Sequence, residues 1–125
     1  MTVEQAIHQF WSIFGLTAYE ENAVPTGDDV PKFPYITYSV ATAGFGEETQ
    51  LTASVWTRST SWVSANNMAE SIFNYIGLGG KILKFTDGKI WIKRGTPFSQ
   101  SMGDPSDSLI KRKYINVTAE FFSAK

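Results

Sequence analysis

The chain has 125 residues, 42% of them hydrophobic and 14% aromatic, with a formal net charge of −1 and no cysteine. A chain of this length fits one domain and buries roughly two-thirds of its unfolded surface, so it needs neither disulfide nor metal to hold a core. The missing cysteine excludes a thiol nucleophile, an iron–sulfur cluster and cysteine zinc sites, and the near-neutral charge is no footprint for a dedicated nucleic-acid binder.

In the opening "MTVEQAIHQFWSIFG", Val3, Ile7, Phe10, Trp11 and Phe14 recur at helical spacing. Thr2 with Gln5 predicts a capping box, and Gly15 a stop. This stretch carries Glu4 and no basic residue, so neither a secretion signal nor a transit peptide is expected. No apolar run approaches the roughly 20 residues of a membrane span. The expectation is a soluble intracellular product with no membrane partner. A short strand is predicted from Ala18 to Val24, followed by a loop holding Pro25, Gly27, Asp28, Asp29, Pro31 and Pro34. "YITYSVATA" and "TQLTASVWTR" alternate at period two around "GFGEE" and predict a hairpin.

From Ala65 the pattern turns helical again through Met68, Ala69, Ile72 and Ile76, with Ser61 or Ser64 available as cap and "GLGG" as terminator. "KILKF" and "KIWIK" flank Asp87-Gly88, the signature of a two-residue type I′ hairpin turn. "RGTPFSQSMGDPSD", Arg94 to Asp107, reads as a long loop between strands. In "LIKRKYINVTAEFF", Ile115, Val117, Ala119 and Phe121 face one way and Tyr114, Asn116, Thr118 and Glu120 the other, the mark of a strand buried on one side. The order is helix, two to three strands, helix, three strands. It predicts a single α+β domain over residues 1–125, an antiparallel or mixed sheet of about five strands with both helices packed on one face.

The only histidine, His8, falls beside Glu4 on the helix face away from Val3, Ile7 and Phe14, and is expected to be a solvated surface residue rather than a general base. With no second histidine and no cysteine, the common transition-metal sets cannot be assembled within one subunit, and no metal or other cofactor is expected. The carboxylate pairs Glu20-Glu21, Asp28-Asp29, Glu47-Glu48 and Asp104 with Asp107 fall in loops or on alternating strand faces, a poor arrangement for an acid/base dyad. Lys111, Arg112 and Lys113 form the only three-residue basic run, with Lys93 and Arg94 across the long loop. If the flanking strands pair, these cations are expected to gather at one end of the sheet. A solvated strand face, a partner-facing rim and a small nucleic-acid site, with strand aromatics as stacking platforms, are the competing readings of that run.

The N-terminal helix, the proline-rich lead into "FPYITYSV", the "SVWTRSTSW" strand running into a helix, and the segment from "IWIKRGTPFSQSMGDPSD" to "EFF" together resemble the tail-terminator or tail-completion proteins of long-tailed bacteriophages and prophages. The resemblance implies an α+β fold and no enzymatic activity. It further implies a virion protein of the tail or neck, made in the bacterial cytoplasm, that caps the tail tube as a ring, usually a hexamer, and meets the head connector. Its partners would be copies of itself, the tube protein and the head-completion protein. The candidate contact residues are then Arg94, Phe98, Met102, Asp104 and Asp107 in the long loop, Asp28 and Asp29 in the earlier one, and Lys111, Arg112 and Lys113.

Overall fold

The computed structural model describes residues 1–123. Helix α1 spans Val3–Ser12. Its start is the predicted capping box: Thr2 Oγ1 accepts from the Gln5 amide at 3.1 Å, and Gln5 Oε1 accepts from the Thr2 amide at 2.8 Å. The helix stops before Phe14, yet Phe14 still packs edge-on against Phe10. Gly15, at φ 83, takes the left-handed turn that leads into the sheet.

The sheet has six strands rather than about five: β1 Thr17–Glu20, β2 Tyr35–Tyr38, β3 Glu48–Arg58, β4 Lys81–Phe85, β5 Gly88–Asp104 and β6 Asp107–Ser123, in the order β1-β2-β3-β6-β5-β4. It is mixed, because β1 runs parallel to β2 while every other neighbouring pair is antiparallel. β1 is shorter than expected, since the Glu20 carboxylate accepts the Asn22 amide and turns the chain. The predicted β2–β3 hairpin forms, but β2 ends at Tyr38, with a last bond from the Ser39 amide to the Thr52 carbonyl.

Helix α2, Val63–Ile76, follows β3. Of the two candidate serines, Ser61 serves its start, accepting the Val63 amide at 3.1 Å, and Gly77 ends it at φ 69. The β4–β5 hairpin also forms, but its turn is Thr86-Asp87, with Phe85 opposite Gly88. Among the described residues no non-glycine residue has positive φ, and Gly88 does not either, so the turn is not type I′. Gly88 is the first residue of β5, and it must be glycine because an added Cβ would sit 2.0 Å from the Phe122 carbonyl oxygen.

One core joins both helices to the sheet. Ile7, Phe10 and Trp11 of α1 and Ala69, Ile72 and Ile76 of α2 meet Ile36, Leu51, Val55, Ile90, Ile92, Ile115, Val117 and Phe121. α1 touches the two outermost strands, β1 and β4, and α2 touches β3, β5 and β6. The sheet therefore curls so that α1 lies along the gap between its ends. The Thr86 amide, at the β4–β5 turn, donates to the Met1 carbonyl at 2.8 Å and pins the start of α1 there. Trp11 is 1% exposed, and removing so large a buried side chain costs about 3–5 kcal/mol. Trp11→Ala is expected to lower unfolding stability by about that much, measured by chemical denaturation.

Candidate functional site

The segment from Arg94 to Asp107 is not a loop. β5 continues through it to Asp104 and forms a long hairpin with β6, closed by the two residues Pro105 and Ser106. The strand was hidden by a bulge: Arg94 pairs with Val117 and Ser99 with Ile115, so Gly95 to Phe98 all bulge opposite Asn116. Asn116 holds this bulge, donating from Nδ2 to the Pro97 carbonyl at 3.0 Å. An added Cβ at Gly95 would lie 2.6 Å from the Asn116 carbonyl oxygen, so only glycine fits. A bulge tolerates Pro97, which has no amide to give to a ladder.

Beyond the bulge the strand has no alternating apolar pattern, because it lies past β4. β4 pairs only with Gly88 to Ile92, which leaves Lys93 to Asp104 with a neighbouring strand on one side alone. Between Arg94 and Asp104 that open edge carries no charge. Pro97 and the bulge blunt the first part of this edge, and from Ser99 to Gly103 it is a template for another strand.

The predicted contact residues do not form one cluster. Phe98 turns inward: it meets the Phe73 ring edge-on at 5.2 Å and packs against the core. Met102 is half-buried on the open edge, opposite Arg112. Asp104 and Asp107 build the hairpin tip. Asp104 Oδ1 accepts the Ser106 hydroxyl at 2.6 Å and the Ser106 amide at 2.8 Å, which holds its carboxyl below the usual range. Asp107 is lowered too, first by the Leu109 amide and then by the Arg58 guanidinium at 3.0 Å. Asp28 and Asp29 lie far along the chain in a 3-10 turn, Gly27–Asp29, bordering Thr17 and Tyr19 of β1.

The cations do not gather at one end of the sheet. Alternation along β6 sends Lys111 and Lys113 to the side of the Trp62 ring, at 5.8 and 6.0 Å, while Arg112 lies over Trp56 at 4.7 Å and Tyr114 at 5.3 Å on the other. Arg94 sits opposite Val117, about 14 Å along the strand from Lys113. It is occupied there, its guanidinium stacked 3.4 Å from the Phe73 ring and donating to the Phe73 carbonyl. Lys93 pairs with Glu48 and Glu120.

Two groupings escaped the sequence reading. Tyr35 and Trp56, cross-strand partners, stack at 6.0 Å, with Arg112 next in the row and hydrogen-bonded to Ser54. Their pairing was implicit in the β2–β3 hairpin, but the neighbour β6 comes from far along the chain. His8 is exposed as expected, yet its Nδ1 lies 2.8 Å from the hydroxyl of Tyr38. Tyr38 is buried, and burial, followed by the nearby Glu20, pushes its hydroxyl pKa up. His8 thereby supplies the hydrogen-bond partner a buried hydroxyl requires.

No protein-family model matches this chain, and no curated protein matches it.

Two outcomes test the placement of the arm. Phe98→Asp is expected to lower stability by about 1–3 kcal/mol, because it puts a carboxylate against Phe73 and the core, whereas Met102→Asp leaves thermal unfolding unchanged. The tip should also respond to acid. Both carboxyls are lowered in the folded chain, so the order they confer is complete above the ordinary carboxylate range and is lost as pH falls through their lowered values. The amide resonances of Ser106 and Leu109 should shift in that acid window, and Asp104→Asn should abolish the shift at Ser106.

Proposed function

We propose that this protein is a non-enzymatic structural subunit of a bacteriophage or prophage virion, one that caps the tail tube or joins the tail to the head as a ring. The observation that carries the reading is the long uncharged edge of β5, which has no strand beside it among the described residues of the subunit. A subunit that is incomplete at a strand edge is suited to assembly, and head-to-tail contacts close into a ring when their rotation divides the circle. In this reading both helices share one face of the sheet, and the partners are further copies of the chain, the tube protein and the head-completion protein. Met102 and the tip residues Asp104 and Asp107 belong to the contact surface, while Phe98 and Arg94 support the arm from within.

The second reading is a small module for single-stranded nucleic acid. It draws on the row of Tyr35, Trp56 and Arg112, since stacked aromatics beside a guanidinium suit unpaired bases. Lys111 and Lys113 on the opposite side weaken it, because a backbone-tracking groove needs its cations beside its aromatics.

Particles produced without this protein decide the matter. Electron microscopy is expected to show tails of abnormal length or tails detached from heads; normal tails on normal heads would overturn the tail reading. Retention on single-stranded oligonucleotides that falls steeply with salt would favour the second instead.

A further inference from the structure

The register lays five strands side by side at one level. Tyr19, Thr37, Ser54, Tyr114 and Gln100 are successive partners from β1 to β5, and so are Thr17, Tyr35, Trp56, Arg112 and Met102. At this level β1 and β5 are the two outer strands, because β4 reaches no further than Ile92. Among the described residues, β1 pairs with β2 alone and no backbone hydrogen bond joins the Gly27–Asp29 turn to it, so its second edge is left without a ladder partner.

Direction makes the two edges compatible. β1 runs with β2, and direction then reverses at β3, β6 and β5, so β1 and β5 run oppositely. A second copy shifted sideways in the plane of the sheet, without being turned over, presents its β1 antiparallel to the first copy's β5.

Charge is complementary across the same two edges. Glu20 and Glu21 lie at the end of β1 and Asp28 and Asp29 border its Thr17 and Tyr19, with Lys32 as the neighbouring cation, and none of these four acids forms an ion pair among the described residues. Next to β5, Lys113, Arg112 and Lys111 stand opposite Ser101, Met102 and Gly103. Opposite charges at facing patches set register and reject the reversed pairing.

We propose that β5 of one copy, at Ser99 to Gly103, pairs antiparallel with β1 of a second copy, Thr17 to Glu20, which brings the acids beside β1 of that neighbour within one strand's width of Lys111 and Lys113 on one face of β6 and Arg112 on the other. The contact is heterologous, so each subunit uses one edge of each kind and the assembly propagates head to tail. This assignment rests on the ring reading above and names the surfaces that build the ring.

The absence of native cysteine makes cross-linking the direct test. A chain carrying both Thr17→Cys and Met102→Cys, oxidised at high protein concentration, is expected to give a ladder of dimers, trimers and larger species, while either single variant stops at dimers. A second chain with Tyr19→Cys and Gln100→Cys samples the adjacent register. If neither double variant exceeds its single controls, the edge pairing is wrong.

Charge exchange supplies an independent readout in native mass spectrometry at low salt. Lys111→Glu with Lys113→Glu in one chain, and Asp28→Lys with Asp29→Lys in another, should each reduce oligomer by about ten-fold, a change of about 1.4 kcal/mol. Mixing the two variants should restore it, because each reversed edge then meets its complement; a mixture no better than its components would overturn the charge pairing. Failure here is separable from failure of the tail reading. No ladder from a protein whose loss still deforms tails rejects the edge contact alone, and a ladder from a protein whose loss leaves particles normal rejects the tail role alone.

Discussion

A curled sheet has an inside that must be filled from its open side, and in this protein the filling is done by α1. The helix brings Ile7, Phe10 and Trp11 into the core and lies against β1 and β4, strands at opposite ends of the sheet order. Without it the inner faces of those two strands would expose apolar side chains on both sides of the gap. The cost of packing so many aromatics in one place is shape rather than chemistry, and buried Phe10 and Trp11, half-buried Phe14 and exposed Tyr75 resolve it by meeting edge-on or tilted instead of face to face. The capping box and the bonds between Met1 and Thr86 then fix where the helix begins.

The second consequence concerns edges. α1 covers β4, but it cannot also cover β5 beyond Lys93, because β4 is too short to reach there. α2 supports the inner side of that stretch through Phe73, which receives both Phe98 and Arg94, and through Asn66, Ala69 and Glu70, which border Ser99 and Lys113. Farther along, the Trp62 ring lies beside Lys111 and Lys113 of β6. The arm is held by backbone pairing, by Asn116 at the bulge and by the carboxylates of its tip. The Arg58–Asp107 pair adds little to stability, since both side chains are substantially exposed, but it orients the tip.

What could be read from the sequence follows from how local each signal was. The two helices were legible because their caps and stripes lie within a few residues of one another, and β6 was legible because Ile115, Val117, Ala119 and Phe121 keep strict alternation over one buried face. β5 lost its phase at Gly95 to Phe98, where the bulge shifts the register, and from Ser99 onward neither face meets the core, so alternation had nothing to record. Turn chemistry misled in the same way at Asp87-Gly88. Gly88 is glycine because the Phe122 backbone presses on it, a contact between residues distant in sequence, and not because a turn demands positive φ there. The basic run was visible as a run, but its splitting over two faces follows only once β6 is known to be strand through Lys111 to Lys113.

The bulge at Asn116 links these two halves of the molecule. In a flat, regular ladder β5 would carry its alternation unchanged from the core region to the tip, and Ser99, seven residues after Ile92, would point to the other face. The bulge resets the phase so that Ser99 stands opposite Ile115, while Phe98 packs against Phe73 from within the bulge. It also increases local twist and bends the strand, as bulges do, which turns the outer edge relative to the core sheet. A protein whose only task was to be stable would gain by covering or charging this edge. Here the chain instead spends a glycine, a proline and an asparagine side chain on bending an uncharged strand into position, and the neighbouring charges are left to select what pairs with it.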